Sequence, residues 1–575
     1  MRSRFSVFFS RWTVTLVGLV VAIVAVAAYP LGLDDNPGMG PRRIALLAVG
    51  TGIVLLAQAR VLRYRSGWDP PSTRPPAPPG EGPTEDAVPG RSVWARRGFW
   101  LLLSLMSLAI LVSYVWLDGA GSPAHPPKTT FYYDMLADAF ASGQTSLKAV
   151  PDPRLRALSN PYDAVARSHI PHCLQGRTSD CLLFDATYYD GKYYLYWGPA
   201  PAALLVPLKW AGVGPVGDNT LALVAAAFLF AGTAALLAQT WNRFFRHLPI
   251  ALLVPPLILA GLAYPLPWVL DAPRIYEASV LFGAGFLMAG LVAAFPVLAG
   301  RSGSERRLLL AGVLWGLAFA SRAVMLFPVA AFSTVVMLRL WKGALPTRVG
   351  LGGRQAERLA IPIVVSLCLI GLYNFVRFSS PFEFGWRFQL GEPAVQAEGP
   401  QAAFRPANIP VNLYNYVFAQ VSLTREPPYL RPVSATRTIG RVTLPHPAFF
   451  YGELVTGLAL ATPFLLFIGF CLWWLISGPA ESGGPPSEES PEQPRHADLR
   501  WLLVCLVLGA CAAWIPILTF YAVTARYLLD ASPLLLALAG IGSWIAYAAA
   551  TTRVSRVVTA SAIAVTTLLS AAASV

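Results

Sequence analysis

The ionisable side chains of this chain fall into a few short stretches, and their types set out the chemistry available. The first stretch, Phe131 to Pro201, opens FYYDMLADAFASGQTSL, passes through NPYD at Asn160 to Asp163 and ends DATYYDGKYYLYWGPAP. Asp134 and Asp138 are four apart and share one face of the amphipathic helix predicted over Tyr132 to Ala141. Asp185, Tyr188 and Lys192 follow in the aromatic part. Later come Asp271, Arg274 and Glu277 in DAPRIYE, Arg322 in FASRAV, Arg377, Glu383 and Arg387 in NFVRFSSPFEFGWRF, and Arg526 and Asp530 in TARYLLD. Carboxylates act as general bases or hold divalent metals. Arginines grip phosphate with two parallel N–H groups. Both kinds together at a lipid interface suit a lipid-phosphate ligand.

Structural readings of the same residues stand beside this one. Arg526 and Asp530, four apart on a helix, can pair with each other. Arg322 can extend to headgroups. The tyrosine-rich segment can be an aromatic belt. Asp190-Gly191 between tyrosine pairs predicts a hairpin turn, so Asp190 is read as structural.

The elements that must position these residues are membrane spans. Of 575 residues, 55% are hydrophobic and 13% charged, where a soluble domain carries about 25% charged. Apolar runs approach the roughly 20 residues that a spanning helix needs. The alternating ten-residue segments of a membrane barrel are absent. The class is therefore an all-α polytopic membrane protein. The net charge is +14, with most arginines flanking apolar runs, as in positive-inside anchoring. The reading is a bilayer partner and no nucleic acid. There is no nucleotide-binding loop, redox motif or soluble catalytic domain.

Residues 1–65 hold two predicted spans, at 13–28 and 44–62, and the Arg2, Arg4 and Arg11 cluster places the N-terminus in the cytoplasm. Residues 66–97 form a Pro-rich cytoplasmic linker. Residues 98–575 form the membrane core. Its spans are predicted at 98–117, 221–241, 249–267, 278–299, 307–321, 324–341, 359–377, 451–476, 500–521, 527–548 and 555–574. Tyr193 to Trp210 is read as an interfacial helix, because counting it as a span reverses the positive-inside pattern. Outer loops cover 118–220 and 378–450, and an acidic linker covers 477–499. The total is about 13 spans with the C-terminus outside, in a bacterial cytoplasmic (inner) membrane by composition. Cys368, Cys471, Cys505 and Cys511 lie in apolar runs as packing residues. Cys173 and Cys181, in CLQGRTSDC, are a disulfide pair or two free thiols. His169 and His172 nearby match no standard zinc spacing.

The order of features resembles the GT-C superfamily of membrane glycosyltransferases, closest to its protein mannosyltransferase and aminoarabinose-transferase-like bacterial branch. The resemblance runs from about Gly98 to the C-terminus. It rests on an outward first core helix, a loop opening YYDMLADAFASGQ, the aromatic-proline segment YYLYWGPAP, the span ending at Arg243, and GLAFASRAVMLFP with its basic residue in a turn. It implies inverting transfer of a sugar from a polyprenyl-phosphate donor to an extracytoplasmic glycan, lipid or protein. By position it implies Asp134 as the base and Glu277 as a second acidic residue, with Asp185 a further catalytic candidate. Arg274, Arg322, Arg526 and Arg387 would neutralise the leaving phosphate, with Asp138, Lys192 and Tyr188 in support. A divalent metal, Mg or Mn, would sit on Asp134 and Glu277. Many members carry adjacent acids or Asp-x-Asp here, whereas Asp134 precedes Met135. Competing readings are a lipid-linked glycan flippase and a non-catalytic binder of the same fold.

Overall fold

The computed structural model describes residues 93–118, 129–173, 182–271, 273–301, 304–344, 349–391, 403–419, 421–423, 430–439, 442–443, 450–477 and 493–574. The expected spans at 13–28 and 44–62 and most of the 66–97 linker lie outside these residues. Helix α1 (Val93–Asp118) begins inside the stretch read as linker. The long helices that follow are α4 (Asp218–Thr240), α6 (Ile275–Leu298), α7 (Glu305–Ser321), α8 (Leu326–Ala344), α9 (Val349–Phe378), α11 (Gln493–Thr519), α12 (Ser532–Ala549) and α13 (Arg553–Ala572). Between α4 and α6, α5 (Val254–Leu262) is the main helix of a broken apolar segment, 250–270.

Among the described residues, nine helical segments are long and apolar enough to cross a membrane. One shorter apolar helix among the described residues, Pro463–Ser477, ends in α10 (Ile468–Ser477), and α7 has 17 residues. The count of about 13 is thus not reproduced among these residues. Helix α6 is apolar on all sides and buried along most of its length, as a central helix must be. Helix α9 instead shows Val364, Leu369 and Phe375 outward, an apolar surface for lipid.

Two expectations need correction. The span predicted at 451–476 starts as strand. Strands β5 (Tyr451–Gly452) and β6 (Leu454–Val455) come first, and β6 joins β3 (Val421–Leu423) and β4 (Leu430–Ser434) in the order β6-β4-β3. Strand β5 pairs in parallel with β7 (Ala522–Val523). The acidic linker read as 477–499 gives way to α11 at Gln493.

The first long polar loop carries the expected local elements. Helix α2 spans Tyr132–Ala141. Strands β1 (Thr187–Tyr189) and β2 (Lys192–Tyr194) form a hairpin with Tyr188 opposite Tyr193. Asp190 and Gly191, at φ 47° and 71°, give the turn that suits a two-residue hairpin. The interfacial segment is helical only over α3 (Ala200–Trp210), 11 residues, too short to span at 1.5 Å per residue.

The charges sort to two ends of the bundle. At one end Asp498, opening α11, accepts from Arg243 beyond α4 at 2.9 Å and from Arg339 of α8 at 2.7 Å. At the other end lie the loops and the residues described next.

Candidate functional site

The site is built where α6, α7, α12 and the two long polar loops meet. Helix α2 hangs from α4. The Asp218 carboxylate accepts from the N–H groups of Tyr132 and Tyr133 at 2.9 and 3.2 Å and from Thr130 Oγ1 at 2.6 Å. These are N–H groups that the first turn of a helix leaves unpaired. Asp134 is fully buried between α2 and α3. Its carboxylate is 2.5 Å from Lys209 Nζ and accepts from the Val216 N–H at 2.7 Å. Asp138 lies 3.4 Å from the same lysine. The two aspartates do share a face, and that face is turned to Lys209.

The aromatic segment after β2 packs onto the turn that carries Arg322. Gly198 N–H donates to Ser321 C=O at 3.2 Å, and a Cβ on Gly198 would run into the Ala320 carbonyl. Only glycine allows this approach. It sets Trp197 edge-on to Tyr276, centroids 5.2 Å apart. Tyr276 in turn donates to the Asp185 carboxylate. Asp185 sits on a left-handed backbone, φ 59°. The second outer loop closes against the same strand, where Leu390 N–H donates to Ala186 C=O at 2.8 Å and Arg167 donates to Gly391 C=O.

Around this pair stand the arginines. Arg322 Nε donates to both oxygens of Asp530 at 2.9 and 3.0 Å. Burial opposes the Arg322 charge, but Asp530 outweighs it and holds the guanidinium above its ordinary value. Arg526 donates to Glu453 through both Nη groups at 3.0 and 2.8 Å, and lies 3.7 Å from Glu277 Oε1. Its guanidinium also covers the Tyr276 ring at 4.8 Å, a cation–π contact. Burial opposes this charge too, and Tyr527, Glu277 and Glu453 more than offset it. Glu277 Oε2 accepts the Arg274 N–H at 2.8 Å and so caps α6. The structure therefore brings together Asp185, Arg274, Glu277, Arg322, Arg526 and Asp530 from four parts of the sequence. Arg526 and Asp530 pair with other partners rather than with each other, and Arg322 is held in an ion pair rather than extended to headgroups.

Other expected residues lie elsewhere. Arg387 stacks near Phe388, at 5.9 Å. Lys192 is exposed at the hairpin end, and the Tyr188 C=O accepts Tyr162 OH at 2.7 Å. Cys181 lies outside the described residues, so the Cys173–Cys181 pairing does too. The two expected metal donors each face a cation: Asp134 faces Lys209, and Glu277 faces Arg526. Among the described residues no three His, Cys, Asp or Glu side chains are grouped for a metal ion. This donor set does not fit a divalent ion, and no step below passes through one.

Sequence reasoning passed over Glu453, Tyr276, Lys209 and Asp218. Glu453 had a usable signal, a lone carboxylate at the outer edge of an apolar run. It was hidden by being counted as the first turn of a span.

The chain is similar to solved structures of an oligosaccharyltransferase from Archaeoglobus fulgidus. With the apo form it shares 15% identity at a TM-score of 0.41, over 84% of this chain and 56% of the other. With the archaeal oligosaccharyltransferase AglB of that organism, in complex with an inhibitory peptide and a dolichol-phosphate, it shares 14% identity at 0.40 over the same fractions. The chain thus spans little more than half the length of these structures. No family model and no curated protein matches the sequence.

Proposed function

We propose that this chain is a membrane glycosyltransferase that moves a sugar from a polyprenyl-phosphate donor to an acceptor outside the cytoplasm. The observation that carries the reading is the meeting of Arg526 with the Asp185–Tyr276 pair, with Arg322 sharing the Tyr527 ring with it, where the apolar helices end. Two guanidiniums at that depth suit the phosphate of a lipid whose chain lies along the outward apolar surface. A partly accessible carboxylate beside them suits an acceptor hydroxyl.

In this mechanism Asp185 takes the proton of the acceptor hydroxyl as its oxygen bonds to the anomeric carbon. The bond from that carbon to the phosphate oxygen breaks. The electron pair leaves with the polyprenyl phosphate, whose charge falls on the arginines. Attack from the face opposite the phosphate inverts the anomeric centre. Tyr276 holds the carboxylate in position. Asp134 is better suited to holding α2 on α3, because it is buried and neutralised by Lys209. The bacterial cytoplasmic membrane, with the C-terminus outside, remains part of this proposal.

The test is transfer of labelled sugar from polyprenyl-phosphate donors by protein in nanodiscs, wild type beside Asp185→Asn and Asp134→Asn. Wild-type transfer should fall at least about a hundredfold in Asp185→Asn and persist in Asp134→Asn. Loss in Asp134→Asn alone, with the protein folded, would return the base's role to Asp134. Donor binding without transfer by any form would make the chain a lipid-glycan binder or flippase.

A further inference from the structure

The arginines of the site are held with unequal firmness. Asp530, which holds Arg322, is 2% exposed and closes the 3₁₀ turn that leads into α12. Glu453, which holds Arg526, has a side chain 30% exposed and is the single residue between β5 and β6. Its backbone is fixed, donating to Val523 C=O and accepting from Ala435 N–H, each at 2.9 Å. Its side chain can therefore turn, once released by Arg526, while the strands on either side stay paired with β7 and β4. The Arg526 guanidinium already has a second acid in Glu277, on the rigid first turn of α6. Its buried Nε–H finds no hydrogen-bond partner.

The geometry between Glu453 and Arg526 is two parallel N–H···O bonds, the arrangement a guanidinium also makes with phosphate. The local charge points the same way. Arg322 and Arg526 lie among Glu277, Glu453 and Asp530, with Asp185 joined to them through Tyr276, so carboxylates outnumber these two guanidiniums. A lipid phosphate adds negative charge to a site already negative. Like charges in such surroundings repel strongly, and the more exposed carboxylate on the loop is the one able to withdraw.

We propose that Glu453 is an internal stand-in for the ligand's phosphate: its carboxylate fills the Arg526 fork in the ligand-free protein and must swing out for a lipid phosphate to bind. This rests on the lipid-phosphate reading above. Between turnovers Glu453 keeps a buried guanidinium from standing with too little counter-charge, a costly state. On binding, the apparent affinity falls by the fraction of molecules whose fork is filled. On release, the returning carboxylate displaces the product phosphate.

The experiment measures binding of undecaprenyl phosphate to protein in phosphatidylcholine nanodiscs, with undecaprenol as the uncharged control. Glu453→Gln should bind undecaprenyl phosphate about tenfold more tightly than wild type, with undecaprenol unchanged. Glu453→Asp retains the charge but draws it back by one methylene, and should move the same way by less. It also serves if Glu453→Gln does not remain monodisperse. Equal or weaker binding by both variants overturns the proposal and makes Glu453 a part of the binding site. An equal gain for undecaprenol overturns it as well, because the strands around Glu453 have then simply loosened. Tight wild-type binding with no gain in the variants defeats this inference alone. No binding by any form defeats the lipid-phosphate reading and this inference together.

Discussion

Lys209→Met tests the assignment of Asp134 as an anchor. In the wild type the Asp134 carboxylate has no exposed surface, a lysine at 2.5 Å and one backbone N–H at 2.7 Å. Methionine keeps the bulk of the lysine stem and removes the charge. Breaking a buried pair on one side costs about 3–5 kcal/mol. The surviving Val216 bond puts this case at the low end, about 3 kcal/mol. The cost should appear as local opening of α2, not of the whole bundle. About 3 kcal/mol corresponds to roughly a hundredfold faster hydrogen exchange, at 1.36 kcal/mol per factor of ten. The assay is exchange of the α2 amides in nanodiscs, read by mass spectrometry. Adding Asp134→Leu removes the stranded charge, and the double variant should return to within about tenfold of wild type. Unchanged α2 exchange in Lys209→Met, or no recovery in the double variant, would refute the reasoning. Sugar transfer that stays absent in a double variant with restored α2 would show that Asp134 takes part in the chemistry.

Three further outcomes are expected. Arg322→Lys should weaken undecaprenyl phosphate binding nearly as much as Arg322→Ala, tenfold or more, because an ammonium cannot hold Asp530 and a phosphate as a planar fork does; calorimetric titration in nanodiscs reads this. Gly198→Ala should destabilise by about 1–3 kcal/mol through overpacking against the Ala320 carbonyl, seen as a lower temperature of aggregation with α3 loosened. Tyr276→Phe should slow transfer about tenfold by removing the hydrogen bond to Asp185, with undecaprenyl phosphate binding unchanged in the same nanodiscs.

How far the sequence could be read depended on distance along the chain. Local features came through: α2, the Asp190-Gly191 hairpin and most of the long helices each follow from residues within a few positions of one another. The gathering of Arg322, Arg526, Glu277 and Asp185 at one end was also legible, because each sits at the edge of an apolar run. Their partners were not. Residues four apart on an α-helix lie about 40° apart in projection, but on a 3₁₀ turn about 120° apart. Ala525–Asp530 is 3₁₀, so Arg526 and Asp530 diverge. Asp530 reaches Arg322, 208 residues away, and Arg526 reaches Glu453, 73 residues away. Glu453 was out of sight because hydropathy alone cannot separate two short apolar strands from the start of a span.

The ion cluster at the opposite end bears on how the protein is made. Asp498 follows Arg243 by 255 residues and Arg339 by 159. At about 5–20 residues per second, the acid leaves the ribosome roughly 10 to 50 seconds after the first arginine it must neutralise. Throughout that interval the end of α4 lacks its counter-ion, and for the last 159 residues of it α8 lacks the same one. These ends of the helices acquire their final partner only when α11 is made. A chain that stops short of Asp498 therefore carries two arginines without their acid. That is a chemical mark by which an unfinished copy differs from a finished one.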